Sequence, residues 1–392
     1  MIFDKLFRLM ADKGASDIFV SAGAPINIKI QGAAIPINQQ IMDPATIKTM
    51  AYEMLTPEQA KRFEEGKEIN LSFGVRDVGN FRVNMFWQRG SISIVVRYIT
   101  SVIPKLDELE LPEVLAEVIM EKRGLVLVVG STGSGKSTTI AAMLDHRNAN
   151  KPGHILTVED PIEYLFKHKR SIVNQREIGL DTLSWAEALK NAMRQAPDCI
   201  LIGEIRDKET MSAAIAYAQT GHLCLATLHA NNAYHALNRI FNFFPLENRP
   251  SLYLDLSVSL KAIISQRLAK KPDGKRLPAV EILLNTRHIS ELIEKGEVNA
   301  IKEAMEQSLA PGSQTFEQDL FRLYKEGTIT LEEALANADS PTNLSWLINN
   351  SQLDAKDKGE PTIQSPSVVA FETDQPAQGG ASFSEFTLTM ED

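Results

Sequence analysis

Four stretches of the chain are apolar almost without interruption: LVLVV (125–129), HILTV (154–158), CILIG (199–203) and LCLATL (223–228). Strands covered on both faces read this way, because neither side meets water. Between them, LSWAEALKNAMRQ and KETMSAAIAYAQT repeat their apolar residues at helical spacing. Strand and helix in alternation predict a doubly wound, mostly parallel α/β domain over residues 112–345. Past about residue 240 the pattern predicts further helices, a strand at PAVEILL, and the helices FEQDLFRLYKEG and TLEEALANA.

Residues 1–105 follow a different rhythm and predict a small α+β domain. FDKLFRLMADK has helical periodicity and is stopped by Gly14. SDIFVSAGAPINIKIQGAAIPI reads as strand, turn, strand, turn. TPEQAKRFEEG is a helix opened by Thr56 with Pro57 at its first position. INLSFGV, FRVNMFWQ and SISIVVRYI follow as alternating strands. Pro104 and the acidic LDELELPE mark a linker at 106–111. Residues 346–392 are polar, acidic and rich in Pro, Gly and Ser. They are expected to be disordered or to fold only against a partner, with Phe371, Phe383 and Phe386 as anchors.

Composition narrows the class. The chain has 392 residues, 44% hydrophobic and 23% charged, ordinary values for a protein with a sizeable core. No apolar run approaches the ~18 residues of a membrane span, so no transmembrane segment is expected. The first residues carry charges throughout and offer no small-residue cleavage site, so a secretory signal is not expected. The net charge is −9, and the segment from Ser351 onward supplies −6 of it. The remaining balance near −3 does not favour a polyanion-binding surface. Cys199 and Cys224 lie inside apolar runs and read as buried thiols, although a disulfide stays open.

The segment Gly130-Ser131-Thr132-Gly133-Ser134-Gly135-Lys136-Ser137 fits GxxxxGK[ST] directly after one predicted strand and before a predicted helix that continues with Thr138. The glycines let backbone N–H groups curl toward phosphate oxygens, and the helix N-terminus adds partial positive charge. Lys136 is expected at the β- and γ-phosphates and Ser137 at Mg²⁺. The nucleotide site is therefore Gly130 through Thr138, with ATP and Mg²⁺ as its occupants.

Hydrolysis also needs a metal-side acid and a group that orients water. In CILIGEIRD, Glu204 follows the apolar run, at the carboxyl edge of the sheet where ligands bind. In HILTVEDPIEY, Glu159, Asp160 and Glu163 cluster at the same edge, and Pro161 forces a turn between them. Glu163 is the acid expected to face water in line with the γ-phosphate, while Glu159 and Asp160 read equally well as caps of strand and turn. His222 precedes the last apolar run and His229 ends it. With Thr227, Asn231 and Asn232 nearby, His229 becomes a candidate sensor of the γ-phosphate. No histidine and cysteine spacing suggests zinc.

These motifs resemble the PilT/PilU-type ATPases of type IV pilus retraction and twitching motility, within the GspE/VirB11-like secretion ATPase superfamily. The resemblance runs over about 345 residues and includes FRVNMFWQRG, GSTGSGKSTT, TVEDPIEY, VNQREIG, ALKNAMRQAPDCILIGEIRD and TGHLCLATLHANNA. It implies a PAS-like N-terminal domain joined to a RecA-like ATPase domain in a homo-hexamer. It also implies a cytoplasmic location at the inner face of the inner membrane. By position, Glu163 becomes the catalytic base, Glu204 the Walker B acid that shares Mg²⁺ with Ser137, and His229 the nucleotide-sensing histidine. Arginines of the N-terminal domain are implied in neutralising the transferring phosphate. Arg82 and Arg97 are the candidates, ahead of Arg89, Arg194 and Arg239. The implied partners are a PilT-like retraction ATPase and the inner-membrane platform protein.

The family pattern AIRNLI is replaced by HISELI, which puts Ser290 where an arginine is expected. With the acidic tail, this points to the PilU branch, whose members act beside a PilT-like motor. Pilus-assembly and type II secretion ATPases share the boxes, but they carry a four-cysteine zinc insertion that two cysteines cannot build. A regulatory ring subunit that only binds nucleotide is the other alternative, and the pair Glu163 and Glu204 speaks against it. The acidic balance disfavours a nucleic-acid motor, so no nucleic acid is expected among the partners.

Overall fold

The computed structural model describes residues 2–30, 32–75, 78–99 and 102–357; for residues 2 and 352–357 only the backbone is described. The chain divides into two compact units, Met1–Ser345 and Trp346–Asp392.

The first unit opens with helix α1 (Ile2–Lys13), whose Phe3, Leu6, Phe7 and Met10 are buried as their spacing requires. An antiparallel sheet follows, built from β1 (Asp17–Val20), β2 (Asn27–Ile30), β3 (Ala33–Pro36), β4 (Glu68–Val75), β5 (Gly79–Gln88) and β6 (Ser91–Ile99), in the order β3-β2-β1-β6-β5-β4. Helices α2 (Pro44–Glu53) and α3 (Pro57–Gly66) sit between β3 and β4 in sequence. Thr56 caps α3 in a reciprocal box with Gln59, with Pro57 next, as expected. Along β5, Phe81, Val83 and Met85 enter the core, which leaves Arg82 and Asn84 on the other face. Arg82 pairs directly across the ladder with Arg97 of β6, and Arg97 with Asp17 of β1. The two candidate arginines are thus neighbours on one face.

The second sheet has seven strands: β7 (Gly124–Val129), β8 (Gly153–Glu159), β9 (Ser171–Glu177), β10 (Cys199–Ile202), β11 (Leu223–Leu228), β12 (Leu260–Lys270) and β13 (Arg276–Leu284). Their order is β13-β12-β7-β11-β10-β8-β9, with only the β12–β13 pair antiparallel. Helices α4 (Val114–Met120), α5 (Lys136–Asn150), α6 (Trp185–Ala192), α7 (Lys208–Gln219) and α8 (Ala233–Asn242) alternate with the strands. Then come α9 (Arg249–Ser259), α10 (Arg287–Lys295), α11 (Ile301–Glu306), α12 (Phe316–Lys325), α13 (Leu331–Asn337) and α14 (Pro341–Asp357). All six residues of β7 are buried, as are those of β10, so the continuous apolar runs reflect cover on both faces. The mixed α/β architecture matches the expectation.

Three features depart from the sequence reading. Residues 260–270, expected among helices, form β12, because LKAII continues a parallel sheet beside β7. VNQREIG contributes the edge strand β9, where alternation with polar residues hides the run. The tail expected to lack structure from residue 346 is helical through residue 357 as the continuation of α14. The remaining tail, with Phe371, Phe383 and Phe386, lies outside the described residues. Cys199 and Cys224 are free and buried. Burial pushes the Cys199 thiol up to about 11 and raises that of Cys224 as well.

Candidate functional site

Parallel pairing brings the carboxyl ends of β7, β8, β10 and β11 to one edge of the sheet. The loops that leave them line a cavity of about 230 Å³. Thr132 and Gly133 come from the β7–α5 loop, Lys136 and Ser137 from the first turn of α5, Glu159 from the end of β8, Asp160, Pro161 and Glu163 from the segment after it, Glu204 from the segment after β10, and His229 from the position after β11. The sequence candidates for phosphate, metal and base therefore converge on one site.

The loop after β7 has its shape for steric reasons. Gly130, Gly133 and Gly135 have φ of 156°, 79° and 88°, the region that disfavours any other residue. A Cβ at Gly130 would lie 2.5 Å from Ser134 Oγ and 2.6 Å from the Gln266 carbonyl. One at Gly135 would lie 2.7 Å from Gln266 Nε2. A Cβ at Gly133 meets nothing within 4 Å, so the cradle opens there toward the cavity. Lys136 Nζ donates to the carbonyls of Gly130 (2.9 Å) and Ser131 (2.8 Å). Burial lowers its pKa, against the opposing pull of the Glu204 and Glu163 carboxylates. The buried Ser134 hydroxyl has no hydrogen-bond partner among the described residues. An unsatisfied hydroxyl in this glycine-rich loop, next to the N-terminus of α5, fits a phosphate group.

The acids differ in their surroundings. Glu204 accepts from Arg206 Nε (2.8 Å) and faces His229 Nε2 at 3.4 Å. Arg206 also reaches Asp160 at 3.4 Å, so Asp160 serves to tie the two acidic loops together. Glu159 accepts from Thr157 Oγ1 (2.6 Å) and Gln175 Nε2 (3.3 Å). Desolvation pushes its carboxyl up to about 7, with the Glu163 charge adding to the rise and those hydrogen bonds opposing it. Glu163 is exposed to the cavity and has no ion-pair partner among the described residues.

Tyr164 shares a 2.8 Å hydrogen bond with Thr138 Oγ1, which fastens the Glu163 segment to the first turn of α5. Gln175 of β9 donates to the Tyr164 carbonyl (2.9 Å) and accepts from the Phe166 N–H (2.9 Å). Gln266 of β12 is buried against the phosphate loop. Its amide donates to the Ser134 carbonyl (2.8 Å) and accepts from Thr139 Oγ1 (2.7 Å). Gln175 and Gln266 are not evident from the sequence, because neither strand shows an unbroken apolar run; an amide inside SIVNQRE or LKAIISQRL is the available signal.

Arg82 and Arg97 line a second cavity of about 410 Å³, which shares Asp160 and Pro161 with the first. Arg97 binds Asp17 at 2.8 Å and stays largely exposed. Arg82 binds Glu177 and the Ile162 carbonyl of its own chain. Among the described residues, no cluster of three or more His, Cys, Asp or Glu could cage a metal ion. Ser137 and Glu204 suit Mg²⁺ instead, which takes one or two protein ligands together with phosphate oxygens.

Residues 1–336 match the family described as type II/IV secretion system protein. The type IV pilus ATPase PilU of Pseudomonas aeruginosa is 49% identical over 357 residues, 91% of this chain and 94% of that protein. PilT of the same organism, a type IV pilus retraction ATPase, is 42% identical and covers 88% of this chain and 100% of its own. Among solved structures, the pilus retraction motor PilT with bound ADP superposes with a TM-score of 0.81 at 42% identity, covering 87% of this chain and 98% of that one. The Legionella pneumophila ATPase DotB gives 0.70 at 27% identity, covering 85% and 94%.

Proposed function

The chain belongs to the type II/IV secretion system protein family, and from that premise we propose how its site works. It is an ATPase of type IV pilus retraction; the likeness to PilU and PilT along nearly the whole chain carries this reading. The two sheets are taken as its domains, residues 1–105 and 112–345, joined by the linker at 106–111.

ATP enters with its phosphates in the Gly130–Thr138 cradle. The phosphates replace the Gly130 and Ser131 carbonyls as partners of the Lys136 ammonium. Ser137 and Glu204 are the residues that would hold Mg²⁺, which when bound would supply positive charge beside the phosphate oxygens. Glu163 takes the proton from the attacking water, a role suited to an exposed carboxylate at the cavity wall. His229, leaning on Glu204, reads the terminal phosphate. Arg97, largely exposed on the N-terminal sheet, is the cation placed to neutralise phosphate charge, whereas Arg82 beside it is engaged by Glu177 and the Ile162 carbonyl.

The protein works as a homo-hexamer in the cytoplasm, at the inner face of the inner membrane, beside a PilT-like ATPase and the platform protein. Its mass in solution checks the assembly. The accessory role rests on Ser290, whose hydroxyl is turned inward onto the Ser257 carbonyl at 2.9 Å, leaving no guanidinium there. Twitching of a strain lacking every retraction ATPase tests it. This chain alone should leave the strain immotile and should increase motility when a PilT-like ATPase is also supplied. Rescue by this chain alone would overturn the accessory role.

A further inference from the structure

Glu163 itself touches little, so its position must be set through its backbone, and the residue before it is held on both sides. The Ile162 N–H donates to Glu177 Oε2 at 3.2 Å, and the Ile162 carbonyl accepts from Arg82 Nη2 at 2.8 Å. Arg82 and Glu177 in turn bind each other, with Arg82 Nε also reaching Glu177 Oε1 at 3.1 Å. The side chains of the pair are 17% and 11% exposed, so water screens them little and a two-pronged contact keeps its direction. Glu177 is fixed independently: it ends β9, and its N–H donates to Asp181 Oδ2 at 2.8 Å. Arg82 comes from the face of β5 that leaves the N-terminal core. An arginine of one sheet and an acid of the other thus close around the peptide groups that flank Ile162.

We propose that Arg82 and Glu177 are positioning residues for Glu163. The N-terminal sheet acts on hydrolysis through the backbone at Ile162, and Arg82 in this arrangement serves the protein and not the phosphate. The proposal rests on Glu163 being the base. It makes the placement of the N-terminal sheet a condition for water activation, since moving β5 withdraws the guanidinium from the Ile162 carbonyl. A misplacement of ~1 Å in a catalytic group costs on the order of 100-fold in rate, so the effect falls on turnover and spares nucleotide binding.

The test compares the full chain with Glu177→Gln, Arg82→Lys, Arg82→Gln, the Glu177→Gln/Arg82→Gln double variant, and Glu163→Gln. Phosphate release at saturating ATP is read beside the affinity for fluorescent ADP. The expectation is that Glu177→Gln and Arg82→Gln each lower kcat by roughly 10- to 100-fold, with ADP affinity held within about twofold. The double variant should be no worse than the slower single one, because both act on one contact. Arg82→Lys keeps the charge but loses the fork and should also be slow; it stands in if a glutamine variant does not fold. If Arg82 served the phosphate directly, Glu177 would only restrain it. Glu177→Gln would then match or exceed the wild-type rate while Arg82→Lys kept most of it, and that result overturns the proposal. If Glu163→Gln does not slow hydrolysis, the reading of the base fails first, and this inference with it.

Discussion

Lys136, Gln266 and Glu163 are the single residues on which the site depends most. Lys136 binds carbonyls of its own loop, contacts that a triphosphate can take over. Gln266 has no direct part in chemistry, yet both ends of its amide are committed to the phosphate loop and the start of α5. Replacing it with leucine strands a carbonyl and a hydroxyl in a dry environment, at about 1–3 kcal/mol for each group. Gln266→Leu should therefore lower the melting temperature and weaken fluorescent ADP binding, both measurable on the purified chain. Unchanged values in both would mean that the amide is not what shapes the loop. Of these residues the sequence displayed Lys136 and Glu163, since each sits inside a motif whose flanking strand was legible. Gln266 was hidden, because its importance comes from the neighbour across the ladder and not from its own segment.

At the scale of elements, the strands most readable from sequence were those whose two covered faces leave an unbroken apolar run, β7, β10 and β11. β9 at the sheet edge and β12, which turns polar at Ser265 and Gln266, broke that pattern and were missed. The cost was specific: the clamp on Glu163 comes from β9 and the brace of the phosphate loop from β12. β12, β13 and α8 meet at Glu281, which is buried and accepts from the Ala233 N–H (2.7 Å) and Ser265 Oγ (2.9 Å). Desolvation pushes its carboxyl up from 4.5 to about 7, and the charges of Asp339 and Glu317 add to the rise.

A raised carboxyl pKa means that the folded protein holds a proton the unfolded chain has released. Stability from this group is therefore fully present below pH 4.5 and is lost as pH rises through about 7. Glu281→Gln keeps an acceptor for both donors and removes the charge. By melting temperature it should be more stable than wild type at pH 8, by on the order of 3 kcal/mol. That advantage should shrink as the pH falls toward 5. An advantage independent of pH would contradict this account.

For the whole molecule, the antiparallel sheet and the parallel sheet are linked at the point where catalysis is placed. Arg82 reaches Glu177 and Ile162 there, and separately Lys271, just past β12, binds Glu110 of the linker at 2.5 Å. The fold class, the family and the convergence of phosphate loop, acids and histidine were legible in the sequence, because each depends on local motifs at strand ends. The pairing of Arg82 with Arg97 and the engagement of Arg82 with Glu177 were not, because both depend on strand register and on contacts between distant segments.

The central claim is that this assembly of loops hydrolyses ATP with Glu163 as the base. Phosphate release by wild type and Glu163→Gln, measured side by side at saturating ATP with Mg²⁺, tests it most directly. The account predicts a loss of roughly 100- to 10,000-fold in turnover while ADP still binds with an affinity within about twofold of wild type. Equal rates in the two proteins would contradict it.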